Sequence, residues 1–201
     1  MSFSIIVLFP IGLKRLTLAA ATTIIKLSSK EKLLARIIRV NQAGEIGAQR
    51  IYSAQKKVFK FLGRHDDVGE ISRMAKEEEE HLNYFNEKMR YHNVRPTALG
   101  PFWEVGASAI GLTTAVMGPK AAYTCTEAVE EVIVEHYQNQ IDMLEGIDPE
   151  LQSKIKKFQQ DEEGHKQTAI NRGSKEVFAY KALRQVLKKT TQAAVYFAER
   201  I

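Results

Sequence analysis

Apolar residues recur along this chain at helical spacing, and no stretch alternates in the manner of a half-buried strand. From residue 32 to about 62, Leu34, Ile37, Ile38, Ile51, Val58 and Phe59 fall on a repeating apolar face, and Gly63 with its charged successors ends the run. A second helix is predicted from about residue 68 to 91, burying Ile71, Met74, Leu82, Phe85 and Met89. Residues 93–101 carry two prolines and form a loop. The segment from Phe102 to Met117 is apolar and rich in small residues, with Glu104 its only charge. Gly118-Pro119 restarts a long helix to about residue 144, and Asp148-Pro149 opens another through Ala169. Gly173-Ser174 separates off a last helix to Ile201. The pattern predicts an all-α protein, with a four-helix bundle core joined by an apolar helix and a C-terminal helix.

The N-terminal stretch has a different character. Residues 1–30 hold no acidic residue, four basic ones (Lys14, Arg15, Lys26, Lys30) and scattered Ser and Thr, the composition of a mitochondrial targeting segment. The apolar run that starts at Ser4 is too short to span a bilayer and is broken by Pro10. A secretory signal fits less well, because the basic residues follow the apolar run. Residues 31–201 are then one domain, long enough for a sizeable core. A single cysteine, Cys125, excludes a disulfide framework and any cysteine-rich metal cluster. The net charge of +5 suits an anionic surface, but no RNA-binding or zinc-finger pattern accompanies it, so nucleic acid is set aside.

Chemistry enters with the histidines. Of the five, His81 and His165 each stand three residues after a glutamate, Glu78 and Glu162. Positions i and i+3 share a helix face, so both side chains of a pair can reach one metal ion. One such pair is weak evidence, since a charged helix face produces it readily. The arrangement is stronger. Thirty-three residues before Glu78 stands Glu45, and thirty-two before Glu162 stands Glu130, each in the preceding helix. The chain thus carries the same unit twice, at about 33–92 and 119–170. This is the ligand pattern of ferritin-like di-iron carboxylate bundles, in which two helices give one Glu each and two give Glu-x-x-His.

The surroundings agree. Ala43, Gly44, Gly47 and Ala48 cluster around Glu45, and two glycines in one helical turn, at about 1 kcal/mol each, imply that something approaches closely. Glu130 lies among Val129, Val132 and Ile133, where an uncompensated carboxylate is expensive to bury. Glu77 and Asp161 stand four residues before His81 and His165 and are candidate acceptors for the ligand imidazoles. His65 and His92, near helix ends, face solvent. His136 and Tyr137 lie near the site, as a structural pair or as a source of a hydrogen bond or an electron path. Four carboxylates and two imidazoles without a thiolate suit two Fe or Mn ions better than structural zinc. Glu45 and Glu130 are the expected bridging carboxylates.

The strings at 39–48 (ArgValAsnGlnAlaGlyGluIleGlyAla), 95–97 (ArgProThr), 125–131 (CysThrGluAlaValGluGlu), 136–140 (HisTyrGlnAsnGln) and 194–201 (AlaValTyrPheAlaGluArgIle) resemble the demethoxyubiquinone hydroxylases. The resemblance runs from about residue 33 to the C-terminus. It departs at Asn41, where many members carry Asp, and at Gly164, with Lys166 and Gln167, where the second motif is usually richer in acid or histidine.

The resemblance implies six di-iron ligands at Glu45, Glu78, His81, Glu130, Glu162 and His165. It implies O2-dependent hydroxylation of the demethoxyubiquinone ring (5-demethoxyubiquinone to 5-demethylubiquinone) with two Fe ions per chain. Electrons come from an external reductant, NADH directly or through a reductase, since no Gly-x-Gly-x-x-Gly loop is present. The implied partners are a polyprenyl quinone and other ubiquinone-biosynthesis proteins. The implied location is the matrix face of the mitochondrial inner membrane, or the cytoplasmic face of a bacterial one. The Phe102 to Met117 segment, about 24 Å of helix, is short for a span and reads as an interfacial patch with Trp103 at its boundary, or as an ordinary core helix. Two other readings use the same residues: a ferritin-like peroxide scavenger or iron-handling protein, and a non-enzymatic membrane scaffold whose glutamates form a solvated face.

Overall fold

In the computed structural model, which describes residues 28–200, six α-helices account for most of the described residues. Helix α1 (Ser29–Phe61) begins at a capping box: Ser28 Oγ accepts from the Glu31 amide while Glu31 Oε2 accepts from the Ser28 amide. The helix therefore starts two residues inside the segment assigned to targeting, and residues 1–27 of that segment lie outside the described residues. Gly63, at φ 68°, turns the chain into α2 (His65–Tyr91), which starts three residues earlier than its apolar pattern does. Asp66 and Asp67 in its first turn, and Lys88 and Arg90 in its last, complement the helix dipole.

Helix α3 (Gly100–Val116) follows the proline loop, and α4 (Pro119–Met143) restarts after Gly118 at φ 110°. Asp148 accepts from the Leu151 amide to cap α5 (Pro149–Asn171). A short 3₁₀ turn (Ser174–Glu176) and a left-handed Ala179 lead into α6 (Tyr180–Ala198).

The hairpins α1–α2 and α4–α5 form the four-helix core, and α3 and α6 lie outside it. Helix α3 packs along α1, so closely at Gly111 that a Cβ there would sit 2.5 Å from the Ile51 carbonyl oxygen. Helix α6 lies against α4, pinned by a buried glutamate that the sequence reading passed over. Glu127 accepts from Tyr180 Oη (2.5 Å) and from Ser174 Oγ, while Glu131 pairs with Arg184 and with Lys188 (2.6 Å).

The apolar core is split in two. One cluster gathers Ile51, Tyr52, Phe59, Ile71, Met74, Tyr123 and Ala169; the other gathers Leu34, Ile37, Ile38, Phe85, Leu144, Ile155 and Phe158. Every core helix contributes to both clusters, and in every one the Glu and His positions fall in the gap between them. Two apolar plugs thus enclose one polar layer.

Candidate metal centre

That layer holds Glu45, Glu78, His81, Glu130, Glu162 and His165, each at most 4% exposed. The structure brings all six together in space. They form two groups of converging ligand atoms, each group spanning no more than 4.8 Å: Glu45, Glu78, His81 and Glu162 in one, Glu78, Glu130, Glu162 and His165 in the other. Glu78 and Glu162 belong to both, and Glu45 and Glu130 to one each. In this grouping the shared pair is Glu78 and Glu162, where the sequence leads us to expect Glu45 and Glu130 to bridge. Each Glu-x-x-His helix faces the other across the bundle, which centres its glutamate and leaves the single glutamates of α1 and α4 at the flanks.

Both imidazoles turn Nδ1 inward. His81 Nδ1 lies 3.1 Å from Glu162 Oε1 and 3.5 Å from Glu78 Oε2; His165 Nδ1 lies 3.1 Å from Glu162 Oε2 and 3.1 Å from Glu78 Oε1. Their outward Nε2 atoms meet the two expected acceptors, but crosswise. His81 pairs with Asp161 of α5 at 3.2 Å, and His165 pairs with Glu77 of α2 at 2.7 Å. Neither carboxylate serves the histidine four residues after it, because a helix carries Glu77 and Asp161 to the flank facing the opposite helix. Arg73 clamps Glu77 through contacts of 2.9 and 3.0 Å; among the described residues no such cation holds Asp161.

Two tyrosines complete the layer. Tyr137 Oη donates to Glu45 Oε1 at 2.5 Å, as the sequence allowed, and Tyr52 Oη donates to Glu130 Oε1 at 2.8 Å. Sequence reasoning missed Tyr52, although it stands seven residues after Glu45 and so on the same helix face. Of the other histidines, His65 is exposed but His92 is half-buried, stacked edge-on against Tyr91. His136 reaches no ligand; its Nε2 lies 2.6 Å from the Gln140 side chain, which in turn pairs with Asn41. Asn41 therefore occupies a neutral, buried amide pair rather than a charged contact.

The electrostatics describe a layer waiting for positive charge. Burial, then the charges of Glu78 and Glu162, push the Glu45 carboxyl well above its ordinary range; burial, then Glu162 and Glu78, do the same to Glu130. Burial alone would lower the imidazoles, but hydrogen bonds to Glu162 and the close carboxylate of Glu78 overcome it and raise His81 to about 11 and His165 to about 12. Burial opposes ionisation of Glu78 too, yet the close imidazoles of His165 and His81 hold it below the usual carboxylate range. Glu78 Oε1, though 3.1 Å from His165 Nδ1, is not aligned with it and has no hydrogen-bond partner. An orphaned carboxylate oxygen amid four buried carboxyl groups and two imidazoles fits a pair of divalent cations with a preference for oxygen and nitrogen.

Above the layer opens a cavity of about 210 Å³ whose lining is mostly apolar, walled by α1, α3, α4 and α6. Glu45, Glu78, Glu130 and Glu162 reach into it, with Gly44, Gly47, Trp103 and Gly106 in its sides. Nothing approaches Gly44 or Gly47 closely: a Cβ at either would meet no atom within 4 Å. The space the glycines leave is the cavity itself.

Known proteins are similar to this chain over most of its length. The family model described as "Ubiquinone biosynthesis protein COQ7" matches residues 32–198. The "NADPH-dependent 3-demethoxyubiquinone 3-hydroxylase, mitochondrial" of Mus musculus is 43% identical over 82% of this chain and 76% of its own length. The "3-demethoxyubiquinol 3-hydroxylase" of Rhodospirillum rubrum is 38% identical over 86% of this chain and 81% of its own. The "5-demethoxyubiquinone hydroxylase, mitochondrial" of Saccharomyces cerevisiae is 36% identical, covering 84% and 78%. With a family match that takes in every residue of the polar layer, and relatives similar over most of their length, the chain belongs to the COQ7 family of ubiquinone biosynthesis proteins.

Proposed function

We propose that this protein is a di-iron monooxygenase that hydroxylates the ring of a demethoxyubiquinone. The observation that carries the reading is the position of the two ligand groups, joined through Glu78 and Glu162, at the floor of an apolar cavity. The overall change inserts one atom of O2 into a ring C–H bond and reduces the other to water, consuming two electrons and two protons. The names of several relatives point to NADPH as the source of those electrons, where the resemblance alone had pointed to NADH.

Glu45, Glu78, His81, Glu130, Glu162 and His165 would hold the metal. A pair of ferrous ions, when bound, supplies the reducing equivalents and open positions that O2 needs. The chain's own contribution is placement. Asp161 and Glu77 accept from the outward Nε2–H groups of the imidazoles, which turns the Nδ1 lone pairs toward the centre. Tyr137 and Tyr52 hold the two flanking glutamates by their Oε1 atoms and leave each second oxygen free. The apolar walls keep bulk water from the ring while it reacts.

Helix α3 supports an approach from a membrane. One face packs inward, and Phe102, Val105, Ala109, Leu112 and Val116 form an exposed apolar stripe. Across the cavity, α6 exposes Val186, Tyr196 and Phe197. No described helix is long and apolar enough to cross a bilayer, so contact would be peripheral, and with relatives named mitochondrial we place it at the mitochondrial inner membrane. Flotation with anionic liposomes tests that contact; protein that stays at the bottom of the gradient rules it out. For the activity, protein loaded anaerobically with ferrous iron is given NADPH, O2 and a short-chain demethoxyubiquinone, and products are read by mass spectrometry. A gain of one oxygen from 18O-labelled O2 is expected. An unchanged quinone beside a fully loaded centre would sink the reading.

A further inference from the structure

Gly44, Gly47 and Gly106 all line the cavity over the carboxylates. Two belong to α1, one residue before and two after Glu45; the third belongs to the facing α3. Glycine is poorly suited to a helix interior, so each is retained against local propensity. Packing does not explain them. A Cβ added at any of the three meets nothing within 4 Å, whereas at Gly111 it would lie 2.5 Å from the Ile51 carbonyl oxygen and 2.8 Å from the Ile51 Cα. Gly111 is required by the close approach of two helices, and the other three are not.

The space they leave opens directly onto the metal-binding layer. Glu78, 1% exposed, lines the same cavity and carries the unpartnered Oε1. Around it the walls offer Ala43, Ala48, Ala107 and Val129, while Asn41, Trp103, His136, Thr190 and Thr191 place polar atoms elsewhere in the lining. An occupant must therefore be thin where it passes α1 and α3, and can carry polar substituents at its edges. A planar quinone ring satisfies both conditions.

We propose that Gly44, Gly47 and Gly106 determine the substrate specificity of this pocket, by withholding a methyl group from each wall so that a substituted planar ring can slide between α1 and α3 to the carboxylates. The proposal rests on the quinone reading above, and the controls separate the two. Gly69 is an exposed helical glycine outside that cavity, and Gly69→Ala gives the same gain in helix propensity with no change in the slot.

The test compares Gly44→Ala, Gly47→Ala, Gly106→Ala, Gly47→Val and Gly69→Ala in the full chain, each loaded with ferrous iron. Three quantities are read: iron content, melting temperature, and KM and kcat for a short-chain demethoxyubiquinone. The alanine variants should all melt higher, by about 2–4 °C, and hold as much iron as the parent protein. KM should rise about tenfold or more in the three slot variants, further in Gly47→Val, and stay unchanged in Gly69→Ala. Slot variants that keep the parent KM, or that melt lower, overturn the proposal. A parent protein that loads iron but takes up no quinone overturns the quinone reading and this inference with it. Uptake by the parent and all variants alike overturns this inference alone.

Discussion

Replacing Glu77 by glutamine probes the crossed contacts around the imidazoles. Sequence proximity would tie Glu77 to the His81 half of the centre, since it adjoins Glu78 and precedes His81 by one helical turn. The structure ties it to the other half, through the 2.7 Å contact with His165 Nε2. Loss of an acceptor behind a metal-bound imidazole typically weakens binding about 10–100-fold, or about 1.4–2.7 kcal/mol. The contact is shorter than the 3.2 Å pairing of His81 with Asp161, and Arg73 holds its carboxylate in place, so the effect should sit at the upper end of that range and exceed that of Asp161→Asn. Anaerobic titration with Co²⁺, followed by visible absorption, resolves the two binding steps. Glu77→Gln should weaken one step and leave the other within about twofold. A double-mutant cycle then identifies the half: Glu77→Gln should be strongly non-additive with His165→Ala and additive with His81→Ala. Coupling to His81 instead, or equal weakening of both steps, would refute the crossed arrangement.

Three further outcomes follow. Gly111→Ala forces α3 away from the Ile51 backbone and should destabilise the protein by about 1–3 kcal/mol, or about 2–12 °C in melting temperature, the opposite sign to Gly44→Ala; an unchanged melting curve would mean that the helices are not in contact there. In metal-free protein the raised His81 and His165 contribute stability that is complete below about pH 6.5 and lost as pH climbs toward 11 and 12, and the raised Glu45 and Glu130 slope the same way. Melting temperature should therefore fall with rising pH in chelated protein and much less in loaded protein, and metal uptake should release protons; parallel pH profiles would contradict this. Glu127→Ala strands the hydroxyls of Ser174 and Tyr180, at about 1–3 kcal/mol; it should expose the connection at residues 173–179 to limited proteolysis, and unaltered cleavage would show that α6 is held by other contacts.

The six centre residues were legible because they recur as one spaced unit in two helix pairs, each embedded in apolar periodicity that fixes which face turns inward. The division of labour among them was not. Whether Glu45 or Glu78 occupies the middle depends on how two helices cross, and spacing along one chain is silent about that. The crossing of Glu77 and Asp161 was hidden for the same reason: position i to i+4 identifies neighbours within a helix, and the competing partner belonged to another. Gly44 and Gly47 were recognised as unusual, but a close approach and an open cavity leave the same mark on a sequence. Glu127 looked like one more charge on α4 because its partners, Ser174 and Tyr180, lie about fifty residues away in a turn without periodicity.

The central claim is that one centre joins two metal positions through Glu78 and Glu162. Iron bound per chain after anaerobic reconstitution, measured on the parent protein, Glu45→Ala and Glu78→Ala, tests it directly. The parent should hold two irons; Glu45→Ala, which touches one ligand group, should retain one, and Glu78→Ala, which touches both, should retain neither. Two irons retained in Glu78→Ala, or none in the parent, would contradict it.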